Sequence, residues 1–300
     1  MRKYAVLFLA VLAVIFNTKA FAAEPADLTV GAGYRVDSLD WNIAGNSSGQ
    51  NPNILSELTW DNLEIAFLKA KLRAPVTDKI FLKAYADYGW IFHGDNQDSD
   101  YNTDGRTNEF SRTNNKADDG WVTDASAGLG YKFVFGEFDI APLAGLSYHG
   151  QYLKIQDGVQ VIPATGPFAG LDSSYDANWF GPWVGVDLAY TLGNFSLFGN
   201  AEYHYAYYWA EANWNLRSDF AHPKSFEHDA DGYGVIASLG ADYAISDRWS
   251  VNAFFDYQLF KATHGTDTTY FADGTASETR LNEVNWDSLA VMLGVKYEFF

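Results

Sequence analysis

Apolar and polar residues alternate with a period of two along most of this 300-residue chain. A period of two is typical of a β-strand with one apolar side, because successive side chains of a strand point to opposite faces. The last stretch shows the pattern most clearly. One face carries Leu289, Val291, Leu293, Val295, Tyr297 and Phe299, whereas the other carries Ala290, Gly294, Lys296 and Glu298. The sequence therefore predicts an all-β fold.

Ten stretches follow this pattern, and the connections between them alternate in length. The predicted strands are 28–40, 55–73, 80–92, 121–133, 138–148, 180–190, 195–205, 233–243, 249–259 and 289–299. Short turns lie at 74–78, 136–137, 193–194 and 246–247, and long polar segments lie at 43–53, 93–119, 150–178, 212–231 and 262–284. This arrangement predicts a transmembrane antiparallel β-barrel of about ten strands, with short periplasmic turns and long extracellular loops. Apart from the first residues, no stretch approaches the ~18 apolar residues of a membrane-spanning helix.

A soluble two-sheet sandwich would present the same alternation, with its apolar face turned inward. Charged residues on the second face argue against it, because a dry core cannot hold so many charges whereas a polar barrel lumen can. These residues are Arg35, Asp37, Lys83, Asp87, Asp124, Lys132, Asp139, Asp187, Glu202, Asp242, Asp256, Lys296 and Glu298. Tyr and Trp also gather near strand ends, as the interfacial belts of a membrane barrel require.

The first 22 residues have the features of a signal peptide. Arg2 and Lys3 precede an apolar run, and Ala20-Phe21-Ala22 fits the cleavage pattern, so export is expected. The sequence thus predicts a 1–22 leader and a single barrel domain at 23–300 in a bacterial outer membrane. Outer-membrane lipid, including lipopolysaccharide, is an expected partner.

Charge and cysteine content limit the function classes. The formal net charge of -18 argues against a nucleic-acid binder and favours cationic peptides or proteins as partners. The absence of cysteine excludes thiolate zinc sites and cysteine nucleophiles. No cofactor and no metal site are predicted.

The segment 93–119 contains an Asp-x-Asp pair, Asp98 and Asp100. Two carboxylates one residue apart on an extended chain point the same way, so their repulsion should raise one pKa and let the pair hold a proton. This arrangement suits acid-base chemistry. Two simpler interpretations remain: a solvated loop, or a weak calcium site that also uses Asp95 and Asp104.

Three motifs resemble, in order and spacing, those of the omptins, ten-stranded outer-membrane endopeptidases of Gram-negative bacteria. They are Ser56-Glu57-Leu58-Thr59-Trp60, Gly89-Trp90 and the segment 94–101 that ends in Asp98-Ser99-Asp100-Tyr101. In that family an Asp-x-Asp pair faces an Asp-x-His pair across an extracellular cleft, and water between the pairs attacks the peptide. The resemblance implies that Asp98 and Asp100 are the first pair.

The second omptin pair falls at Asn213-Trp214-Asn215, and an amide cannot act as a base near neutral pH. Nearby candidates for a replacement are Asp219 with His222, or Glu227 with His228. Three functions follow. The favoured one is a surface protein that binds cationic peptides or proteins and has lost the catalytic pair. The others are an active, divergent omptin-type aspartic endopeptidase and a small channel, which a ten-stranded barrel filled by side chains disfavours.

Overall fold

A computed structural model describes residues 25–299, so the predicted signal peptide lies outside the described residues. The described chain contains strands and no helix that could cross a membrane. The strands are β1 (Asp27–Ile43), β2 (Ser56–Pro75), β3 (Ile80–Thr103), β4 (Thr107–Lys116), β5 (Gly120–Tyr131), β6 (Phe133–Phe135), β7 (Phe138–Ile162), β8 (Gly166–Pro167), β9 (Asp172–Leu192), β10 (Phe195–Asn213), β11 (Phe226–Ala244), β12 (Trp249–Tyr270) and β13 (Ala276–Glu298).

The strands form a closed antiparallel ring with ten places. Strand β1 pairs with β13 on one side and with β2 on the other, so the sheet has no free edge there. Strands β4 and β5 share one place, since both lie between β3 and β7. The short strands β6 and β8 pair only with β7. The predicted all-β barrel of about ten strands is therefore confirmed.

The four predicted short turns join strands at one end of the barrel. At the other end, three of the five segments predicted as long loops are largely paired strand: β3 continues to Thr103, β7 to Ile162 and β12 to Tyr270, whereas 44–55 and 214–225 lie outside the strands. In β7 and β9 these extensions bury apolar inward side chains, including Leu153, Ile155 and Tyr175, in a core inside the extracellular wall. In β3 the inward positions above the membrane are polar, so no apolar face marks that part of the strand. The sequence pattern located the hairpins but not their secondary structure.

The strands are much longer than a membrane requires. Strand β7 has 25 residues, which at ~3.3 Å per residue and ~40° tilt reach about 60 Å, against an apolar band of ~25 Å. Exposed apolar side chains such as Leu293, Val184 and Leu68 mark that band at the short-turn end. Rings of exposed aromatics flank it, with Trp249 and Tyr243 below and Trp90 and Tyr207 above. More than half of the longest strands therefore stand outside the membrane.

A charged network fills the barrel at membrane level. The Arg35 guanidinium donates to Asp37 and Asp124, each at 2.6 Å, and His149 Nδ1 lies 2.8 Å from Asp124. All four side chains are almost fully buried. Above them the lumen closes with Trp179, Phe260 and Trp286: Trp286 stacks on both of the other rings, which are tilted relative to each other. The interior is thus a packed polar core below an aromatic layer.

Two β-bulges lie just above the membrane, in β2 and β3. The register between these strands shifts between Asp61 and Glu64 and again between Glu64 and Ile65. Asn62 takes a left-handed conformation with φ of 53°, which Asn adopts more readily than most residues. Because a one-residue shift moves every side chain to the opposite face, the inward positions change from odd to even numbers. Ile91 faces inward below the bulge, whereas Asn96 does so above it.

Candidate functional site

The bulge in β3 turns Asp98 and Asp100 towards the interior of the extracellular wall. Uninterrupted alternation from Asp87 and Ile91 would have placed both carboxylates outside. Asp98 pairs in register with Leu58 of β2 and Thr113 of β4, and Asp100 with Ser56 and Ser111. Both serine hydroxyls bond the Asp100 carboxylate. The paired carboxylates therefore sit on a rigid three-stranded support rather than on a loop.

Asp98 lies in a cleft of about 130 Å³ between this support and the opposite wall. Trp214 and Arg217, from the segment between β10 and β11, stand across the cleft. The Trp214 indole bonds the Asp98 carboxyl, and Arg217 attracts it electrostatically. The apolar part of the lining consists of Ile155, Phe168, Leu171 and Leu216. The cleft thus combines a carboxylate pair with an apolar wall.

The two carboxyls hold protons more tightly than isolated ones. Burial in the cleft, and then the charge of Asp100, raise the pKa of Asp98 to about 8, against the opposing effects of Trp214 and Arg217. Burial also raises the pKa of Asp100, although bonds from Ser56 and Ser111 and the charge of Arg217 work in the other direction. At pH 7 the Asp98 carboxyl is therefore mostly protonated.

The other predicted site residues lie apart from this pair. Asp219 accepts two bonds from Arg217, at 2.9 and 2.8 Å, and these bonds lower the pKa of the Asp219 carboxyl. His222 is exposed, with Nδ1 2.8 Å from Asn213 Oδ1 and Nε2 3.2 Å from the Arg217 carbonyl. Asp219 and His222 therefore hold the segment that carries Arg217.

Asn213 and Asn215, where the sequence resemblance places the second omptin pair, make structural hydrogen bonds. Asn215 accepts from the backbone N–H of Asp172 at 2.9 Å and donates to the Gly170 carbonyl at 2.7 Å. These bonds fasten the segment after β10 to the start of β9. Asn213 holds the His222 ring, as described above. The largest influences on the pKa of Asp98 and Asp100 include burial, the hydroxyls of Ser56 and Ser111, and Trp214 and Arg217.

His228 is buried in the core of the extracellular wall. Its Nδ1 lies 2.7 Å from the Tyr175 hydroxyl, which also bonds Tyr208, and its Nε2 lies 3.2 Å from Asp267 Oδ1. The edge of the Trp41 ring packs on the imidazole at a centroid distance of 4.8 Å. All of these side chains are almost fully buried. Since water and substrate do not reach it in this state, His228 has the environment of a structural residue.

Trp214 and Arg217 are the site residues that sequence reasoning missed. In the sequence, Trp214 is only the middle residue of Asn213-Trp214-Asn215, and no motif singles out Arg217. One signal is present: Arg217 and Lys224 are the two Lys or Arg residues of a segment, 212–231, that also carries Asp219, Glu227, Asp229 and Asp231. Only the folded segment shows that Arg217 lies across from Asp98.

Some carboxylates of the extracellular strands already have cationic partners. Asp95 pairs with Lys116 at 2.7 Å, and Asp172 pairs with Lys154 at 2.5 Å. No group of three or more His, Asp or Glu side chains with metal-binding geometry is found in residues 25–299. The local charge at the cleft is therefore smaller than the composition suggests.

A closed ten-place ring, an apolar belt between two aromatic rings and a polar interior define an outer-membrane β-barrel. Long hairpins at the end opposite the short turns carry the cleft that contains Asp98. The chain belongs to the Pom family, the Protochlamydia outer membrane proteins, whose family model matches residues 29–299. The predicted location in the bacterial outer membrane is confirmed.

The fold is also that of a known outer-membrane protease. The outer membrane protease OmpT from Escherichia coli superimposes with a TM-score of 0.80 at 13% sequence identity, over 94% of this chain and 99% of that one. This likeness confirms the predicted resemblance to omptins at the level of the fold. Comparison with curated proteins gives no significant sequence match.

Two other outer-membrane barrels match less well. The translocator domain of the autotransporter NalP from Neisseria meningitidis gives a TM-score of 0.38 at 13% identity, over 99% of this chain and 96% of that one. The outer membrane protein OprG from Pseudomonas aeruginosa gives 0.34 at 12% identity, over 92% and 97%. Scores this low support no argument about the present chain.

Proposed function

We propose that this protein binds cationic peptides or proteins at the extracellular cleft and that it lacks the acid-base pair of an omptin endopeptidase. The observation that carries the proposal is the pairing of Asp98 and Asp100 opposite Trp214 and Arg217. Peptide hydrolysis of the omptin kind needs a base across the cleft to take a proton from water. An indole and a guanidinium do not supply one.

The chemistry of the cleft fits a Lys or Arg side chain. Such side chains combine an aliphatic stem with a charged head, and the cleft offers an apolar wall, including Leu171 and Leu216, beside the carboxylate of Asp98. An entering cation would let Asp98 release its proton, since a positive charge favours the ionised carboxylate. Arg217 is the resident counter-charge that a ligand would have to displace or share.

The proposal is tested by titrating refolded protein into a labelled arginine-containing peptide and following fluorescence anisotropy. The double variant Asp98→Asn with Asp100→Asn should weaken binding about tenfold or more, because a charged hydrogen bond contributes ~1.5–3 kcal/mol. Added salt should weaken binding by the wild type, since the Debye length is only ~8 Å at physiological ionic strength.

A second Asp-x-Asp pair in the chain provides the matched control. Asp229 and Asp231 of β11 are exposed on the outer face of the wall. The double variant Asp229→Asn with Asp231→Asn makes the same chemical change outside the cleft, removes at least as much negative charge, and should bind like the wild type. Equal loss of binding in the two double variants would show that net charge, and not the cleft, is responsible.

The endopeptidase alternative is kept because Asp98 and Asp100 occupy a cleft in an omptin-like fold. Incubation of the same peptide with wild type and Asp98→Ala, followed by mass spectrometry, separates binder from enzyme. Cleavage by the wild type that disappears in Asp98→Ala would replace the binding proposal with the enzymatic one. We expect no cleavage by either protein.

A further inference from the structure

A second cavity lies at the opposite, periplasmic end of the barrel. It has a volume of about 290 Å³ and reaches the ends of the strands that the short turns join, with Asp27, Lys132 and Lys296 among its lining residues. This cavity shares no residue with the extracellular cleft. The buried charged network and the aromatic layer lie between the two.

The charges that line the periplasmic cavity are almost all paired. Six basic and six acidic residues contribute to the lining. Five of the basic residues form ion pairs with carboxylates: Lys69, Arg73, Lys83, Lys132 and Lys296. Within residues 25–299, the sixth, Lys71, has no carboxylate within 4.0 Å and no hydrogen bond.

Lys71 instead rests on two aromatic rings. Its Nζ lies 4.0 Å from the centre of the Phe254 ring and 5.3 Å from that of Phe198. Both rings line the cavity, as does the apolar side chain of Ile236. Cation–π contact stabilises the ammonium in part, but the rings do not accept its hydrogen bonds. The Lys71 side chain is only partly buried, and its open side is the cavity, so a ligand in the cavity can accept hydrogen bonds from the ammonium.

We propose that this cavity is a binding site for a small organic monoanion, a monocarboxylate with a short apolar or aromatic body, that enters from the periplasm. Lys71 supplies the one basic side chain of the lining that forms no ion pair, and Phe198, Phe254 and Ile236 supply the apolar contact. Six carboxylates around the cavity, including Asp27 at its rim, disfavour dianions such as phosphate. The anion accepts hydrogen bonds from the Lys71 ammonium and takes no covalent part.

The test uses refolded protein in a nonionic detergent and saturation-transfer NMR with benzoate as the probe. Benzamide, which has the same shape without the charge, and inorganic phosphate serve as comparison ligands. We expect saturable binding of benzoate, and binding of benzamide and phosphate that is weaker by about tenfold or more. Equal binding of benzoate and benzamide by the wild type would overturn the proposal without any variant, as would the absence of saturable benzoate binding.

Variants of Lys71 then test whether its ammonium is the group that binds benzoate. Lys71→Met should weaken benzoate binding about tenfold or more, whereas Lys71→Arg should retain most of it. Lys79→Met is the matched control, because Lys79 lies on a periplasmic turn outside the cavity lining. Heat-dependent mobility on gels checks that each variant is folded. Benzoate binding that survives in folded Lys71→Met contradicts the assignment. Because the extracellular cleft plays no part, failure here leaves the proposed function untouched.

Discussion

Binding of a cationic peptide at the cleft should depend steeply on pH, because the ligand competes with a proton on Asp98. The pKa of Asp98 is raised to about 8 by burial and by the neighbouring charge of Asp100. If the ligand needs the ionised carboxylate, its apparent affinity falls by the fraction of Asp98 that is protonated. Affinity is therefore full above pH 8 and is lost as the pH falls below it.

The magnitude follows from the pKa. Two pH units below a pKa of about 8, only about 1% of the carboxyl is ionised, so the dissociation constant at pH 6 should be about 100-fold larger than at pH 9. An unperturbed aspartate would be fully ionised at both values and would give no change. The pH profile thus reports the environment of Asp98, whereas a single affinity does not.

The assay is fluorescence anisotropy between pH 6 and 9 with an N-acetylated, C-amidated arginine peptide, which itself does not titrate in this range. Asp98→Asn should bind with weak and nearly constant affinity, because it has no proton to release. A His222→Gln variant shows whether the segment that carries Arg217 contributes to the pH dependence of peptide binding. A flat profile for the wild type, or a slope that persists in Asp98→Asn, would refute the reasoning.

Three further outcomes are expected. Arg217→Gln should strengthen peptide binding several-fold at pH 9, measured by the same anisotropy titration, because it removes the resident cation; unchanged affinity would mean that Arg217 does not compete. Leu293→Arg on the lipid-facing side should cost about 2–4 kcal/mol in urea unfolding from lipid vesicles, whereas Ser277→Arg on the extracellular part of the same strand should be nearly neutral. His228→Ala should destabilise the protein by about 2–4 kcal/mol in the same unfolding assay, since it leaves a buried cavity. His222→Ala should cost less than about 1 kcal/mol, because His222 is exposed. Equal losses of stability would contradict a buried His228 and an exposed His222.

The membrane-embedded part of the fold could be predicted because lipid and lumen impose opposite polarity on alternate residues. Leu293 is exposed to the lipid side, and Asp124 and His149 lie in the lumen, as alternation indicates. Above the membrane, the outer face of the barrel meets water instead of lipid, so residues on that face need not be apolar. Segments such as 93–103 look like loops in the sequence although they form regular strand, because nothing apolar marks one face of the wall.

The candidate site was only partly predictable. Asp98 and Asp100 are visible as an Asp-x-Asp pair, and the omptin resemblance assigns them to a cleft. What stands opposite them depends on how the segment after β10 folds. Asn215 fastens that segment to Gly170, and Arg217 is thereby turned towards Asp98. These contacts join residues distant in sequence, and no local pattern encodes them.

The bulges in β2 and β3 separate the evolution of the cleft from that of the membrane anchor. Below the bulges, contact with lipid requires apolar side chains at the outward positions, and the inward residues have odd numbers. Above the bulges, the inward residues of the same strand have even numbers. Loss of one residue near His93 would restore a single phase, and it would exchange Asp98 and Asp100 for Ser99 and its odd-numbered neighbours on the inner wall. A one-residue deletion could therefore replace the chemistry of the surface cleft while every lipid contact is preserved.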